Sequence, residues 1–127
     1  MGIQDIQTRD DIILLVDQFY NKVRTNPIIG PIFTEVAQLD FSTHLPVMYS
    51  FWASQLLGEQ SYNGNPMIPH LKLGKLTPMG EVQFTEWLRL FTETVDEFFL
   101  GTKADEAKSR AGNIARLMLY KINQEPG

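Results

Sequence analysis

The sequence contains no cysteine and only two histidines, His44 and His70, among its 127 residues. The absence of thiols excludes disulfides, thiolate zinc sites and iron–sulfur clusters held by cysteine. Two histidines are also too few for a histidine-rich zinc site, and neither is accompanied by carboxylates at a suitable spacing. A transition metal bound through nitrogen would therefore have to depend on one or two imidazoles.

Long apolar runs and basic runs are absent as well. No stretch approaches the ~20 apolar residues that span a bilayer, and the net charge is −4. These features argue against a membrane or nucleic acid as partner. The N-terminus lacks the basic and apolar regions of a signal peptide, so we expect a cytoplasmic protein. The length fits a single domain over 1–127, with 1–7 as a short N-terminal extension and 124–127 as a disordered tail.

The usual catalytic motifs are missing too. The chain has no phosphate-binding loop, no His-Glu-x-x-His, no nucleophile elbow and no calcium loop. Its serine, threonine and carboxylate residues are scattered without a supporting histidine pattern. The residues by themselves therefore leave open whether the protein is an enzyme.

What the chain does contain is a series of helical patterns. Thr8 is a typical N-cap, the apolar positions from Ile12 to Val23 recur at helical spacing, and Pro27 ends this first helix. The second helix is predicted over 42–57, with Gly58 as its stop. Because proline fits best in a first turn, Pro46 predicts that the regular part of this helix begins close to His44.

Two more helices follow in the C-terminal half. Thr77 and Pro78 form an N-cap signal for a third helix over roughly 78–100, which Gly101 ends. The last helix starts at Thr102 with a signal close to a capping box. Strand signals are nearly absent, so the fold class is predicted to be all-α.

Two connecting segments differ from ordinary solvated loops. The turn at 27–33 is so apolar that Ile32 and Phe33 are predicted to pack inward. Residues 58–77 look irregular, and a loop of this length in a small domain is usually functional or contains a short element. One helical turn around Met67–Leu71 would fit this segment.

His70 lies in the irregular segment, directly after Pro69 and between aromatic-rich helices. A single imidazole on a short, stiff segment between apolar helices suits an axial haem ligand. The alternative is an ordinary loop histidine, which is the more common outcome for any one histidine.

Tyr20 and Trp87 each place a polar hydrogen on an otherwise apolar helix face. A buried Tyr or Trp usually finds a partner for that hydrogen. Both could donate into one cavity that holds a small ligand, or each could make a separate structural hydrogen bond. From the residues alone these two interpretations are about equally supported.

An ordered set of motifs resembles the truncated haemoglobins, and its spacing is most similar to group III of bacteria. The match covers roughly residues 9–122. The chain lacks the glycine pairs near the loops that groups I and II have, which is again like group III. The motifs are Phe19-Tyr20, Gly30-Pro31-Ile32-Phe33, Phe51-Trp52-Ala53 with Leu56-Leu57-Gly58, Tyr62-Asn63-Gly64, Pro69-His70-Leu71 and Trp87-Leu88-Arg89-Leu90-Phe91. The resemblance implies a two-over-two helical sandwich around haem, with a short or irregular proximal helix.

The resemblance also assigns roles to the residues nearest the iron. His70 resembles the proximal ligand of the iron. Tyr20 resembles the distal tyrosine, and Trp87 the distal indole of groups II and III. His44 stands where the group III pattern places a distal histidine that swings between pocket and solvent, although Pro46 departs from that pattern.

Other residues correspond to positions that contact the haem itself. Phe33 resembles the phenylalanine that wedges against the haem face, and Met48, one turn beyond His44, should touch the haem. Phe51 and Leu71 are further candidates for contact. Lys72 and Lys75, beside His70, are candidate cations for the propionates, or they are solvated lysines. Because the chain has no cysteine, the cofactor is expected to be haem b held non-covalently.

The expected function is binding of O₂ or a related small ligand (NO, CO or cyanide) at an open sixth iron position. One alternative is a redox enzyme that detoxifies NO, O₂ or peroxide. Such an enzyme would need an external reductant, because the chain has no flavin or nicotinamide domain. A second alternative is a cofactor-free helical interaction module. The protein is expected to be a monomer.

Overall fold

The computed structural model describes residues 3–32, 41–58 and 80–124. Helix α1 spans Arg9–Thr25, α2 spans Phe41–Leu56, α3 spans Glu81–Phe98 and α4 spans Thr102–Gln124. Helix α1 packs against both α2 and α3, α3 packs against α4, and α2 also meets α4. The prediction of an all-α, two-over-two arrangement is confirmed. The proposed proximal turn around His70 lies outside the described residues.

Helix α1 begins where its local sequence predicts. The backbone N–H of Asp11 donates to Thr8 Oγ1 at 3.3 Å, and the Asp11 carboxylate accepts from the backbone N–H of Thr8 at 3.1 Å. This reciprocal capping box satisfies N–H groups that the first turn of a helix leaves without a partner. Asn26 then ends the helix in an extended conformation, directly before Pro27.

The turn after α1 is organised by the Asn26 side chain. Its Oδ1 accepts from the backbone N–H groups of Ile28 at 2.9 Å and Ile29 at 3.0 Å. These bonds fold the chain back so that Ile29 and Ile32 are buried. The inward packing predicted for Ile32 is therefore confirmed, whereas Phe33 lies outside the described residues.

The prediction that the regular part of α2 begins close to His44, which was based on Pro46, is wrong. The helix begins at Phe41, so Pro46 stands inside it, one turn further in than expected. Proline has no N–H to donate to the preceding turn, which makes an interior position costly. The helix nevertheless continues to Leu56, and buried residues from Phe51 onward anchor it. His44 therefore lies on the regular helix, and Gly58 follows it with a φ of 71°, as the stop signal predicts.

Helix α3 is shorter than the predicted 78–100. It begins at Glu81, with Gly80 as its extended N-cap. The Gly80 backbone N–H donates to Gln83 Oε1 at 2.8 Å, a contact that holds the cap in place without the predicted Thr77. The helix ends at Phe98 because Phe99 is extended.

The N-terminal segment explains both this early end and the start of α4. Gln4 forms a backbone bridge with Phe99, and its carbonyl accepts from the Leu100 N–H at 3.0 Å. The Asp5 carboxylate accepts from the backbone N–H groups of Lys103 at 2.9 Å and Ala104 at 2.8 Å. Helix α4 does begin at Thr102, as predicted, but the carboxylate that caps it comes from nearly 100 residues earlier in the chain.

Gly101 allows this close approach. A Cβ placed on it would lie 2.5 Å from Asp5 Cγ, and its φ of 150° is one that other residues rarely adopt. The next residue of the segment, Ile6, is 1% exposed. Residues 4–6 are thus packed on the α3–α4 junction.

The core is continuous across the four helices. It combines aromatic residues of α1, α2 and α3 with small residues of α4. The alanines of α4 let this helix approach closely, which leaves room for the large rings of its neighbours. The buried residues are Leu15, Val16, Phe19, Val23, Phe51, Trp52, Leu56, Leu90, Phe91, Val95, Ala104, Ala107 and Ala111, among others.

Candidate functional site

Among the predicted site residues that the structure describes, Tyr20 is the most deeply buried polar one. It lies on the inner face of α1 and is 7% exposed. Burial raises the pKa of the Tyr20 phenol well above its ordinary value. The hydroxyl is therefore protonated at every physiological pH and keeps a hydrogen to donate.

His44 lies directly against this hydroxyl. Its Nε2 is 3.0 Å from Tyr20 Oη, and the two rings meet edge to face with centroids 5.2 Å apart. The half-buried imidazole can carry its hydrogen on either nitrogen. With the hydrogen on Nδ1, Nε2 accepts from the phenol. With it on Nε2, the imidazole donates, and the phenol hydrogen is then directed to another acceptor.

Trp87 approaches the same region from α3. Its ring meets the Phe19 ring edge to face, with centroids 5.7 Å apart, while Phe19 meets Tyr20 with centroids 4.9 Å apart. Phe19 therefore separates the two polar aromatic residues by one ring. Trp87 is half-buried, so part of its indole is not covered by the described residues.

Among the predicted haem contacts, Met48 and Phe51 lie on α2 within the described residues. Met48 is half-buried and packs against the core, and Phe51 is 7% exposed, with its ring 5.3 Å from that of Trp52. Met48 follows His44 by one turn of the same helix. The other predicted site residues lie outside the described residues: Phe33, His70, Leu71, Lys72 and Lys75.

An ionic contact supports α3 beside Trp87. The Glu86 carboxylate accepts from Arg89 Nε at 2.8 Å and from Asn26 Nδ2 at 2.6 Å. The hydrogen bonds from Arg89 and Asn26 lower the pKa of Glu86 to about 2, so it stays charged. The hydrogen bond from Asn26 to Glu86 links α3 to the turn that follows α1, beside the predicted distal residue Trp87.

Three aromatic residues in the site belong to the motifs that carry the resemblance but were assigned no role from the sequence: Phe19, Trp52 and Phe91. Phe91 follows Trp87 by four residues, the spacing at which helical side chains meet. That spacing is a signal for their contact. Trp52 lies on another helix, and only the folded structure brings it to Phe91.

The described residues fit a flat aromatic cofactor. One helix, α2, presents the imidazole of His44 and then the apolar side chains of Met48 and Phe51. Tyr20 and Trp87 add two donors with apolar bodies. Among the described residues no group of three His, Asp or Glu could hold a metal ion, so a bare metal site of that kind is not built by this part of the chain.

Comparison with known proteins decides between the possible families. A group 3 truncated haemoglobin of Campylobacter jejuni is 34% identical over 119 residues, which cover 89% of this chain and 91% of that protein. This chain belongs to the group III truncated haemoglobins. The crystal structure of the group III truncated haemoglobin from Campylobacter jejuni superimposes with a TM-score of 0.83 at 30% identity, over 99% of both chains.

A more distant structure supports the fold of this group III truncated haemoglobin. The truncated oxygen-avid haemoglobin of Bacillus subtilis aligns with a TM-score of 0.73 over 88% of this chain and 93% of that one, at 21% identity. No protein-family model matches the chain.

The family assignment confirms the expected cofactor, non-covalent haem b, and haem-based binding of a small ligand. None of the helices described here is long and apolar enough to cross a bilayer.

Proposed function

We propose that this group III truncated haemoglobin binds O₂ or a related small ligand (NO, CO or cyanide), with His70 as the proximal iron ligand and with Tyr20, His44 and Trp87 on the distal side. Haem, held by these residues, would supply the iron chemistry that binds a small ligand such as O₂ and gives that ligand partial negative charge. The distal residues then act as hydrogen-bond donors to that charge.

The observation that carries this proposal is the 3.0 Å contact between Tyr20 Oη and His44 Nε2 in a buried setting. To donate to a ligand, the phenol must turn its hydrogen away from the imidazole. His44 permits this by changing tautomer, so that Nε2–H donates to the phenol oxygen. His44 thus supports the Tyr20 donor, and the two can act as one unit.

Trp87 supplies a second donor, because an indole N–H cannot accept. A hydrogen bond to a charged group contributes about 1.5–3 kcal/mol. Each donor would therefore slow ligand escape by roughly tenfold to a hundredfold. Slow release suits sensing or chemistry at the ligand better than transport.

The remaining positions of the proposed site follow the family resemblance. Phe33, Met48, Phe51 and Leu71 are proposed to enclose the haem. Lys72 and Lys75 are proposed to pair with the propionates, which need cations or water. In this arrangement the chain holds haem b through one iron bond and apolar contacts.

A second candidate function is redox detoxification of NO, O₂ or peroxide: an external reductant would reduce O₂ or peroxide, or would supply the one electron needed when O₂ oxidises NO to nitrate. The buried phenol–imidazole pair favours it, since His44 reaches half into solvent and could resupply a proton to Tyr20. Steady turnover with peroxide or NO that falls in Tyr20→Phe would support this function. Turnover no faster than that of free haem would rule it out.

The first test is an optical spectrum of the ferric, ferrous and O₂-bound protein, with His70→Ala beside the wild type. We expect a Soret band in the wild type and no stable haem incorporation in the variant. A normal five-coordinate ferrous spectrum in His70→Ala would contradict the proximal role. A colourless wild-type protein that does not take up added haem would favour the cofactor-free interaction module.

A further inference from the structure

We infer that Phe91 is a positioning residue that sets the orientation of the Trp87 indole, and that Trp52 supports Phe91 by stacking on it. The Phe91 ring lies nearly parallel to both indoles. Its centroid is 4.8 Å from that of Trp52, at an interplanar angle of 22°, and 5.8 Å from that of Trp87, at 12°. The three rings form a stack, here called the aromatic stack, that runs from α2 to Trp87.

The inner part of this stack is well held. Phe91 is 1% exposed and Trp52 is 5% exposed, and rings buried in a packed core cannot turn without displacing their neighbours. Trp87 differs because it is half-buried. Its ring needs support from one face if its N–H is to keep one direction.

Phe19 completes this support from a second direction. Its ring meets Phe91 edge to face, with centroids 5.4 Å apart at 76°, and meets Trp87 at 87°. Trp87 is thus held by one parallel ring and one perpendicular ring. This pair of contacts leaves the indole little freedom to rotate about its side-chain bonds.

A consequence is that α2 supports both proposed ligand donors, Tyr20 and Trp87. The same helix carries His44, which contacts Tyr20, and Trp52, which reaches Trp87 through Phe91. The inference rests on the proposed role of Trp87 as a ligand donor. Aromatic pairs of this kind contribute enough free energy to change an equilibrium about twofold to tenfold.

The test uses Phe91→Leu and Phe91→Met, which both remove the ring and have side chains of similar volume, one branched and one linear. Phe99→Leu is the control, because Phe99 is also buried, at 5% exposed, and lies just past the end of the same helix. The chain has two tryptophans, so the ferrous CO-bound protein should give two indole N–H resonances. Trp87→Phe identifies which of them belongs to Trp87.

Loss of a neighbouring ring moves the Trp87 indole resonance by itself, so the informative change is its line shape. We expect both Phe91 variants to broaden or split this resonance, because the indole takes more than one orientation, while Phe99→Leu leaves it single and sharp. We also expect O₂ release to become about twofold to tenfold faster in both Phe91 variants. In a Trp87→Phe background, Phe91→Leu should add no further change in release. A single, sharp Trp87 resonance in both Phe91 variants would overturn the inference.

The two proposals fail in different ways. If Trp87→Phe leaves O₂ release unchanged, the donor role of Trp87 is wrong. The Trp87 indole resonance in the Phe91 variants then still tests whether Phe91 positions the indole. If Trp87→Phe speeds release but both Phe91 variants release O₂ at the wild-type rate, the donor role stands and the positioning role is wrong.

Discussion

Two regions of this protein join distant parts of the chain with polar groups, and they do so in opposite ways. At the predicted distal cluster, formed by Phe19, Tyr20, His44, Trp87 and Phe91, a phenol meets an imidazole among aromatic rings. Each of these two polar groups can donate or accept.

At the other region, here called the Asp5 cap, a carboxylate holds the backbone N–H groups of Lys103 and Ala104. An ionised carboxylate can only accept, so its bonds have one arrangement. The comparison teaches that groups which can donate or accept leave a hydrogen bond able to change partner. A group that can only accept fastens the chain in one arrangement.

The largest expected effect is at the cap. In Gly101→Ala the new Cβ would lie 2.5 Å from Asp5 Cγ on a backbone with φ of 150°. We expect the free energy of unfolding to fall by about 2–3 kcal/mol, with O₂ release unchanged, as measured by urea unfolding and ligand kinetics. Gly58→Ala is the control, because Gly58 also has positive φ but nothing within 4 Å of its Cβ position. Equal losses in the two variants would mean that the approach of Asp5 is unimportant.

The next effect belongs to the distal cluster. Tyr20→Phe removes the buried hydroxyl and keeps the ring, so we expect O₂ release to accelerate roughly tenfold to a hundredfold with little loss of stability. Tyr49→Phe is the matched control, since the Tyr49 hydroxyl donates to Asp17 between α1 and α2. Stopped-flow measurement of O₂ release compares the two. The same change in both variants would contradict a specific role for Tyr20.

A smaller effect concerns the pH dependence of the unfolding free energy that the Asp5 cap contributes. Burial opposes ionisation of Asp5, but the backbone donors Lys103, Ala104 and Ile6 outweigh it and leave the pKa of this carboxyl lowered. A lowered folded-state pKa adds stability above the unfolded value, and that stability disappears as the pH falls through the folded value. Asp5→Ala should therefore cost about 1 kcal/mol at neutral pH.

Measurements at acid pH separate the contribution of the Asp5 charge to stability from simple loss of packing. Below the unfolded pKa of about 4, the difference in unfolding free energy between wild type and Asp5→Ala should shrink. Unfolding curves at several pH values measure it. A difference that stays constant into acid would show that the charge of Asp5 plays no part.

The smallest effect is expected on the surface. Lys22 pairs with Glu93 and Glu97 of α3, in a partly exposed setting. Lys22→Met should change the free energy of unfolding by no more than about 0.5 kcal/mol, and less in high salt. Thermal unfolding at two salt concentrations checks this. A larger, salt-independent loss would mean that the stem of Lys22 matters through packing.

Local sequence signals predicted those features that depend on neighbouring residues. The Thr8 cap, the Gly58 stop and the start of α4 at Thr102 each follow from a few adjacent residues. The signals failed at two helix starts. Pro46 was expected near the helix start, yet α2 extends through it, and α3 begins at Glu81, with Gly80 rather than Thr77 as its N-cap.

The candidate site divides in the same way. Tyr20 and Trp87 could be proposed as donors from their places on apolar faces and from the family resemblance. Phe91, Trp52 and Asp5 could not be assigned their contacts, because their partners lie on other helices or at the far end of the chain. The proximal residues around His70 stay predictions.

By itself, the sequence determined that the protein is helical, that it carries no thiol chemistry and that one or two imidazoles must serve any nitrogen-bound metal. Periodicity and composition can be read from the sequence alone, because they do not depend on which distant residues come into contact. Only the tertiary structure decided that His44 meets Tyr20, that Phe91 stacks with two indoles and that Asp5 caps the last helix. Those contacts join residues distant in sequence, and they exist only after the helices have packed.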